Sequence, residues 1–287
     1  MRLRDGRYGA RNVRCILFCL IAIELPLGSP IIAQTSLLKN IEICEGAGGI
    51  FFVEPQIQAC TELITSTALK PQGLAVAHNN RGNAHIKKAD YDSAIQDFDR
   101  SLEVNPNYAK ALNNRGVAYQ KKNEYDRAIK DFDKAIKLDA NYASALANRA
   151  ETYQYKRNYK RAARDYDEVF RLQPTWAAAR NGRCWTNAII GNLQLALGEC
   201  NEALRLEPNN AATFDSRGLV HLKMARWDAA ISDYNSALRL NAKQFGSLYG
   251  RGIAKLKKGD ASGNADKAAA IAADARIAFE FKGYGVQ

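Results

Sequence analysis

The triplet Asn80-Arg81-Gly82 returns as Asn114-Arg115-Gly116 and again as Asn148-Arg149-Ala150, at steps of 34 residues. A fixed period of about 20–50 residues marks a stack of like units, none of which buries its apolar face alone. With Gly82 as position 8, units begin at Ala75, Ala109, Ala143, Ala177, Ala211 and Phe245. Position 8 is then Gly82, Gly116, Ala150, Cys184, Gly218 and Gly252, and position 20 is Ala94, Ala128, Ala162, Ala196 and Ala230. Position 24 is Phe98, Phe132, Tyr166, Cys200 and Tyr234. Within a unit the spacing is helical: positions 4, 7, 8 and 11 share one face, and 20, 24, 27 and 28 another. Small side chains at 8 and 20 let two antiparallel helices approach closely, and the aromatic at 24 fills the space beside them. Asp90, Asn158 and Asn192 stand where second helices need a cap. Pro106, Pro174 and Pro208 end units.

This small-Ala-aromatic-small-Pro pattern resembles the tetratricopeptide repeat family. The likeness is strong over 75–244 and weaker beyond it. It implies an all-α fold: a right-handed superhelical solenoid of stacked antiparallel helix hairpins that works as a protein-interaction module. The expected organisation is a signal peptide over 1–33, a degenerate capping repeat over 34–74, and repeats over 75–108, 109–142, 143–176, 177–210 and 211–244. A degenerate sixth repeat with one Ala-rich closing helix follows over 245–287.

Arg2, Arg4, Arg7, Arg11 and Arg14 precede a short apolar run, residues 15–23, and then Pro26, Gly28 and Pro30. That order reads as an export signal cleaved after Ala33, and Glu24 stops the run short of a membrane span. The formal charge is +11, from 41 Lys and Arg against 30 Asp and Glu, and part of the excess leaves with this segment. The rest is dispersed among acids, as in "KKNEYDRAIKDFDKAIK", which is the pattern of a solvated helix face rather than of a nucleic-acid binder.

Four cysteines remain after the signal. Cys44 and Cys60 are 16 apart, as are Cys184 and Cys200, and the latter pair occupies positions 8 and 24. Shared phase and export favour the disulfides Cys44–Cys60 and Cys184–Cys200 over crossed pairs. Buried free thiols packing as small apolar groups are the other reading.

No nucleophile elbow, phosphate loop or metal-ligand spacing occurs, and the repeats fill nearly all the chain beyond the signal. His78, His85 and His221 stand in slots that the family fills with aromatics. The expectation is a non-enzyme with no metal and no cofactor.

Two polar series repeat in phase. Arg81, Arg115, Arg149, Arg183, Arg217 and Arg251 hold position 7, and Asp97, Asp131, Asp165, Glu199 and Asp233 hold position 23. A ladder of bidentate ion pairs between helices is one reading, and a ligand role for the arginines is the other. Arg251 lacks an in-phase acid, which favours pairing to the preceding unit's acid. The second series is Asn80, Asn114 and Asn148 at position 6 with Asn79, Asn113 and Asn181 at position 5. A carboxamide donates and accepts, so it can hold a peptide backbone of any sequence. The resemblance places these residues on the concave groove, as in family members that hold an extended peptide by an asparagine ladder. Solvated amides and packing between repeats form the rival reading. Tyr155, Trp185, Ile189, Leu219 and Leu222 are expected to form an apolar strip that takes ligand side chains.

The functional expectation is a non-catalytic scaffold of the bacterial cell envelope, periplasmic or secreted, which binds an unknown protein or peptide in the groove. It spans no membrane once the signal is cleaved and binds no nucleic acid. The alternatives are a structural subunit docking by its convex face, and a basic module that holds anionic polymer or a membrane surface through Lys87, Lys121, Lys122, Lys257 and Lys258.

Overall fold

The structure, a computed structural model, describes residues 31–46 and 53–286. The expected signal segment therefore lies, up to residue 30, outside the described residues. Among them the chain forms fifteen helices in two compact units, one ending at Tyr142 and the other beginning at Ala143.

The first unit holds three hairpins. They are α1 (Ile31–Cys44) with α2 (Val53–Thr65), α3 (Pro71–Lys87) with α4 (Tyr91–Val104), and α5 (Ala109–Lys121) with α6 (Tyr125–Leu138). The second holds α7 (Ala143–Tyr155) with α8 (Tyr159–Leu172), α9 (Ala177–Ile190) with α10 (Leu193–Leu206), and α11 (Ala211–Lys223) with α12 (Trp227–Leu240). It continues with α13 (Phe245–Lys257), α14 (Gly263–Ala273) and α15 (Ile277–Gly283). In each unit every hairpin packs on the next, and the first helices also touch each other, α3 with α5 and α9 with α11. First helices therefore line the inner side of each stack.

Local chemistry explains the hairpins. Asp90, Asn158 and Asn210 accept hydrogen bonds from the backbone N–H of Ser93, Arg161 and Thr213 and so cap the helices that follow. Asn192 does not cap α10; its amide donates to Asn187 Oδ1 at 3.0 Å instead. First helices end in the left-handed region at one recurring position: Ala89, Asn123, Arg157, Gly191, Ala225 and Gly259 all have positive φ. Glycine adopts that conformation freely and alanine does not.

The core is a column of aromatics seated on small residues. Phe98, Phe132 and Tyr234 are fully buried. A Cβ built at Gly82, Gly116 or Gly218 would lie 2.7 Å from the ring of its own hairpin. A second rule joins neighbouring hairpins. Where the ring is tyrosine, the next hairpin carries glycine at position 6: a Cβ on Gly182 would strike Tyr166, and one on Gly250 would strike Tyr234. Where the ring is Phe98, the same slot holds Asn114. Gly250→Ala is therefore expected to lower stability by roughly 1–3 kcal/mol, the usual cost of overpacking. Adding Tyr234→Phe should restore part of the loss, because the hydroxyl is one of the atoms struck. Urea unfolding of the two variants checks this.

The chain beyond Phe245 departs from expectation. The sixth hairpin is complete but one residue short: Gly252 of α13 meets Gly263 of α14 so closely that a Cβ on Gly252 would lie 2.7 Å from the Gly263 carbonyl oxygen. The expected single closing helix is two, because the backbone becomes extended at Asp274 and turns back before α15. Asp274 Oδ1 accepts from the Arg276 N–H at 2.9 Å and fixes that turn.

Candidate functional site

The arginine series links helices. Arg81 donates Nε and Nη2 to the two oxygens of Asp97 at 2.9 and 2.7 Å. Arg115 does the same to Asp131 at 2.7 and 2.8 Å, and Arg149 to Asp165 at 2.8 and 2.7 Å. Arg217 grips Asp233 at 2.8 and 2.7 Å. Arg183 divides its donors between Glu199 and Asp167, both at 2.7 Å, and Arg180 completes Glu199 at 2.8 Å. Arg251 corrects an expectation: it does not reach back to an acid of position 23 but grips Asp266 of α14, at 2.7 and 2.8 Å. The hairpin's missing residue moves that acid one place out of phase.

Sequence reasoning missed the remaining donor. Arg81 Nη1 reaches Thr61, Arg115 Nη1 reaches Asp99, Arg217 Nη1 reaches Asn201 and Arg251 Nη1 reaches Asn235, at 2.6–3.0 Å. All four partners lie on the second helix of the preceding hairpin, 16 or 20 residues earlier. Each of these four arginines thus fastens three helices. The signal was present, since Asp99, Asp133, Asp167, Asn201 and Asn235 recur at one position.

Histidines join the same acids. His78 Nδ1 lies 3.2 Å from Asp97, and His221 Nε2 lies 3.6 Å from Asp233. Burial pushes the Asp97 carboxyl up, but hydrogen bonds from His78 and Arg81 outweigh it and hold the group below its ordinary value. Burial holds His221 below the ordinary imidazole value. Among the described residues no group of three or more His, Cys, Asp or Glu is placed to hold a metal.

The asparagines divide. Asn79 and Asn113 are buried, so they cannot line a groove as expected. Position 5 lies in the seam between neighbouring first helices. There the amides bond one another: Asn79 donates to Asn80 Oδ1 at 3.2 Å, Asn113 to Asn114 Oδ1 at 3.2 Å, and Asn114 to Asn79 Oδ1 at 2.9 Å. In the first unit the series therefore ties hairpins together. In the second unit the chain of amides breaks. The residue matching Asn114 is Ser216, whose hydroxyl donates to Ala212 O at 2.9 Å. Asn181 Oδ1 is left buried without a partner.

That orphan acceptor lies on the inner side of α7, α9 and α11, where a cavity of 420 Å³ opens. Its walls include Asn148, Glu151, Gln154, Asn181, Asp215, Trp176 and Trp185. A second cavity, 330 Å³, adjoins it through Glu151, Gln154 and Trp185 and adds Tyr155, Arg157, Tyr159, Glu280 and Tyr284. Amides, carboxylates and aromatic faces together suit a peptide: backbone groups meet the amides, side chains meet the rings. The apolar strip needs correction here. Tyr155 is 51% exposed, but Leu219 and Leu222 are buried in the core, and Trp185 and Ile189 pack against it. The chain's own α15 and the residues after it cover that side.

Asp215, in the cavity wall, accepts from the Ser247 hydroxyl and from Gln244, yet burial outweighs both and pushes its carboxyl up to about 6. A carboxyl whose folded value is raised binds a proton more tightly than in the unfolded chain. Stability is then highest below the ordinary carboxylate range and falls as pH rises toward 6. Asp215→Asn is expected to stabilise the protein by about 1–2 kcal/mol at pH ~8 and by nothing below pH ~4. Melting curves across that pH range check it.

Cys44 faces Cys60 and Cys184 faces Cys200 in disulfide geometry, with Cα–Cα distances of 4.9 and 5.4 Å. Among the described residues no helix is long and apolar enough to cross a membrane.

Tetratricopeptide repeat family models match residues 75–108, 109–142, 148–211 and 216–278. No curated protein matches in sequence. Among solved structures, the chain is similar to YrrB, described as a tetratricopeptide repeat protein with an unusual peptide-binding site. The identity is 20% and the TM-score 0.54, over 67% of this chain and 97% of that one. It is also similar to a tetratricopeptide repeat protein of Parabacteroides merdae, with 17% identity, TM-score 0.65, and 87% and 99% of the two chains covered. Pseudomonas aeruginosa PilF gives 17% identity and TM-score 0.59 over 74% and 95%. At such identities the likeness concerns the fold.

Proposed function

The chain belongs to the tetratricopeptide repeat family, whose arrays serve as protein-interaction scaffolds, and from that premise we propose that it binds a partner's peptide segment on the inner side of α7, α9 and α11. The observation that carries this reading is the 420 Å³ cavity there, whose walls set the amides of Asn148 and Gln154 and the carboxyl groups of Glu151 and Asp215 beside the rings of Trp176 and Trp185. Backbone groups of a bound segment would meet the amides, and its side chains the rings.

The role is non-catalytic: the polar groups of repeated phase are engaged in fastening helices. The compartment is an oxidising one outside the cytoplasm, the bacterial envelope or beyond, which the two disulfide pairs support. The basic-surface alternative is the weaker one. Lys122 already pairs with Asp92, Lys258 with Asp228, and Lys87 donates to Gln56.

A photo-crosslinking residue placed at Tyr155, and separately at Arg205 on the outer side of the hairpins, tests the reading. Partner adducts are expected from position 155 and not from 205. Adducts from 205 alone would transfer the binding surface to the outer helices.

A further inference from the structure

The segment after α14 does more than close the stack. Pairing with α13 to complete the sixth hairpin is the work of α14. From the turn at Asp274 the chain instead runs back over the inner side of earlier hairpins. Phe281 is buried with its ring 4.9 Å from that of Tyr249 on α13. The Tyr284 carbonyl accepts from Lys223 Nζ of α11 at 2.9 Å. The Tyr284 ring meets Trp185 of α9 edge-on at 5.4 Å, and Trp185 in turn meets Tyr159 at 5.7 Å. At the far end Arg157, which follows α7, lies so close to Gly283 that a Cβ there would sit 2.5 Å from Nη1. These are the contacts a peptide ligand makes: a main-chain carbonyl held by an ammonium, and rings in aromatic slots.

We propose that residues 277–286 are a tethered ligand of the second unit, and that the partner's segment displaces them by presenting the same chemistry. That chemistry is an aromatic, a second aromatic three places on, and an aliphatic two further, as in Phe281, Tyr284 and Val286. The inference rests on the peptide-binding reading above and names its specificity and its regulation. The tether keeps the apolar surface of Trp185, Ile189 and Tyr249 covered until a competing segment arrives. Part of the site stays open for it, since the 330 Å³ cavity lies between Glu280 and Tyr284 of the tether and Glu151, Gln154 and Arg157.

The probe is a labelled synthetic peptide of residues 274–287, titrated by fluorescence anisotropy against the full chain and against the full-length double variant Phe281→Ala/Tyr284→Ala. The wild-type chain should bind it at least tenfold more weakly than the variant, whose own tether no longer competes. A peptide carrying Phe281→Ala and Tyr284→Ala should not bind either protein. Equal binding to both chains, or none to a variant of unchanged helicity, overturns the proposal. Hydrogen exchange on the wild-type chain reads the same question without substitution. Amides of 277–286 should exchange at least tenfold faster than those of α13, because a ligand opens on its own. Exchange of both segments as one block would make the tether part of the core and overturn the proposal. Adducts from Tyr155 that persist while the peptide fails would sink the tether and leave the inner binding side standing. Adducts from Arg205 alone would sink both.

Discussion

Arg115→Met is expected to lower stability by about 3–5 kcal/mol, the cost of leaving a buried carboxylate without its partner. Two carboxylates depend on this guanidinium: Asp131, which is 5% exposed at its side chain, and Asp99 on the preceding hairpin, 44% exposed. The bonds to Asp131 hold α5 to α6, and the bond to Asp99 holds α5 to α4. Burial works against the charged guanidinium, but its acids outweigh burial and hold its pKa above the usual value. The thioether of methionine replaces the volume and none of the charge. Lys121→Met, on the exposed end of the same helix, should change stability by no more than about 0.5 kcal/mol. Because a stack of repeats need not unfold as one, hydrogen exchange resolved by helix is the better readout. Loss of protection should centre on α4, α5 and α6. Equal protection in the two variants would mean that the ladder fastens nothing.

The ladder also shows what sequence can and cannot disclose. Its in-hairpin half was legible, because an arginine at one phase and an acid 16 residues later recur through five units. The link to the preceding hairpin was not drawn, although the acid or amide at Asp99, Asp167, Asn201 and Asn235 recurs just as regularly. Periodicity says that a position matters, and only packing says which neighbour it meets. Arg251 was misread for a related reason: a one-residue deletion moves Asp266 out of phase, and a fixed count passes over it. The asparagines failed differently. Positions 5 and 6 are adjacent in sequence, yet the first lies in the seam between helices and the second at its edge. A face assigned at 100° per residue does not resolve that seam. Least legible was the tether. Seven residues of α15 carry no period long enough to assign a face, and the partners of α15 and Tyr284, namely Tyr249, Lys223, Trp185 and Arg157, lie 32 to 126 residues earlier.

Reduction of the two disulfide pairs is the other large effect, at about 3 kcal/mol for each closed loop of about 15 residues on the chain-entropy model. The site of Cys184 and Cys200 explains why the loss should be felt. Other hairpins seat a buried ring on glycine at these positions, Phe98 on Gly82 and Phe132 on Gly116. The α9–α10 hairpin has neither ring nor glycine there. Two sulfurs, both fully buried, stand where an aromatic would otherwise bring its contacts. A covalent link thus replaces packing, and reduction leaves two thiols without the missing ring. Thermal melts with and without dithiothreitol should differ by several degrees. Peptide mapping of unreduced protein from its native compartment should return Cys44 with Cys60 and Cys184 with Cys200. The double substitution Cys184→Gly/Cys200→Phe supplies the pair that the α5–α6 hairpin uses, and Ser216 opposite leaves room that tyrosine would not have. That variant should keep its helicity, and reductant should then act only through Cys44–Cys60, with about half the wild-type effect. If reductant leaves the wild-type melt unmoved and four thiols alkylate in the native protein, these cysteines are small core residues. The case for an oxidising compartment would then lose its structural support.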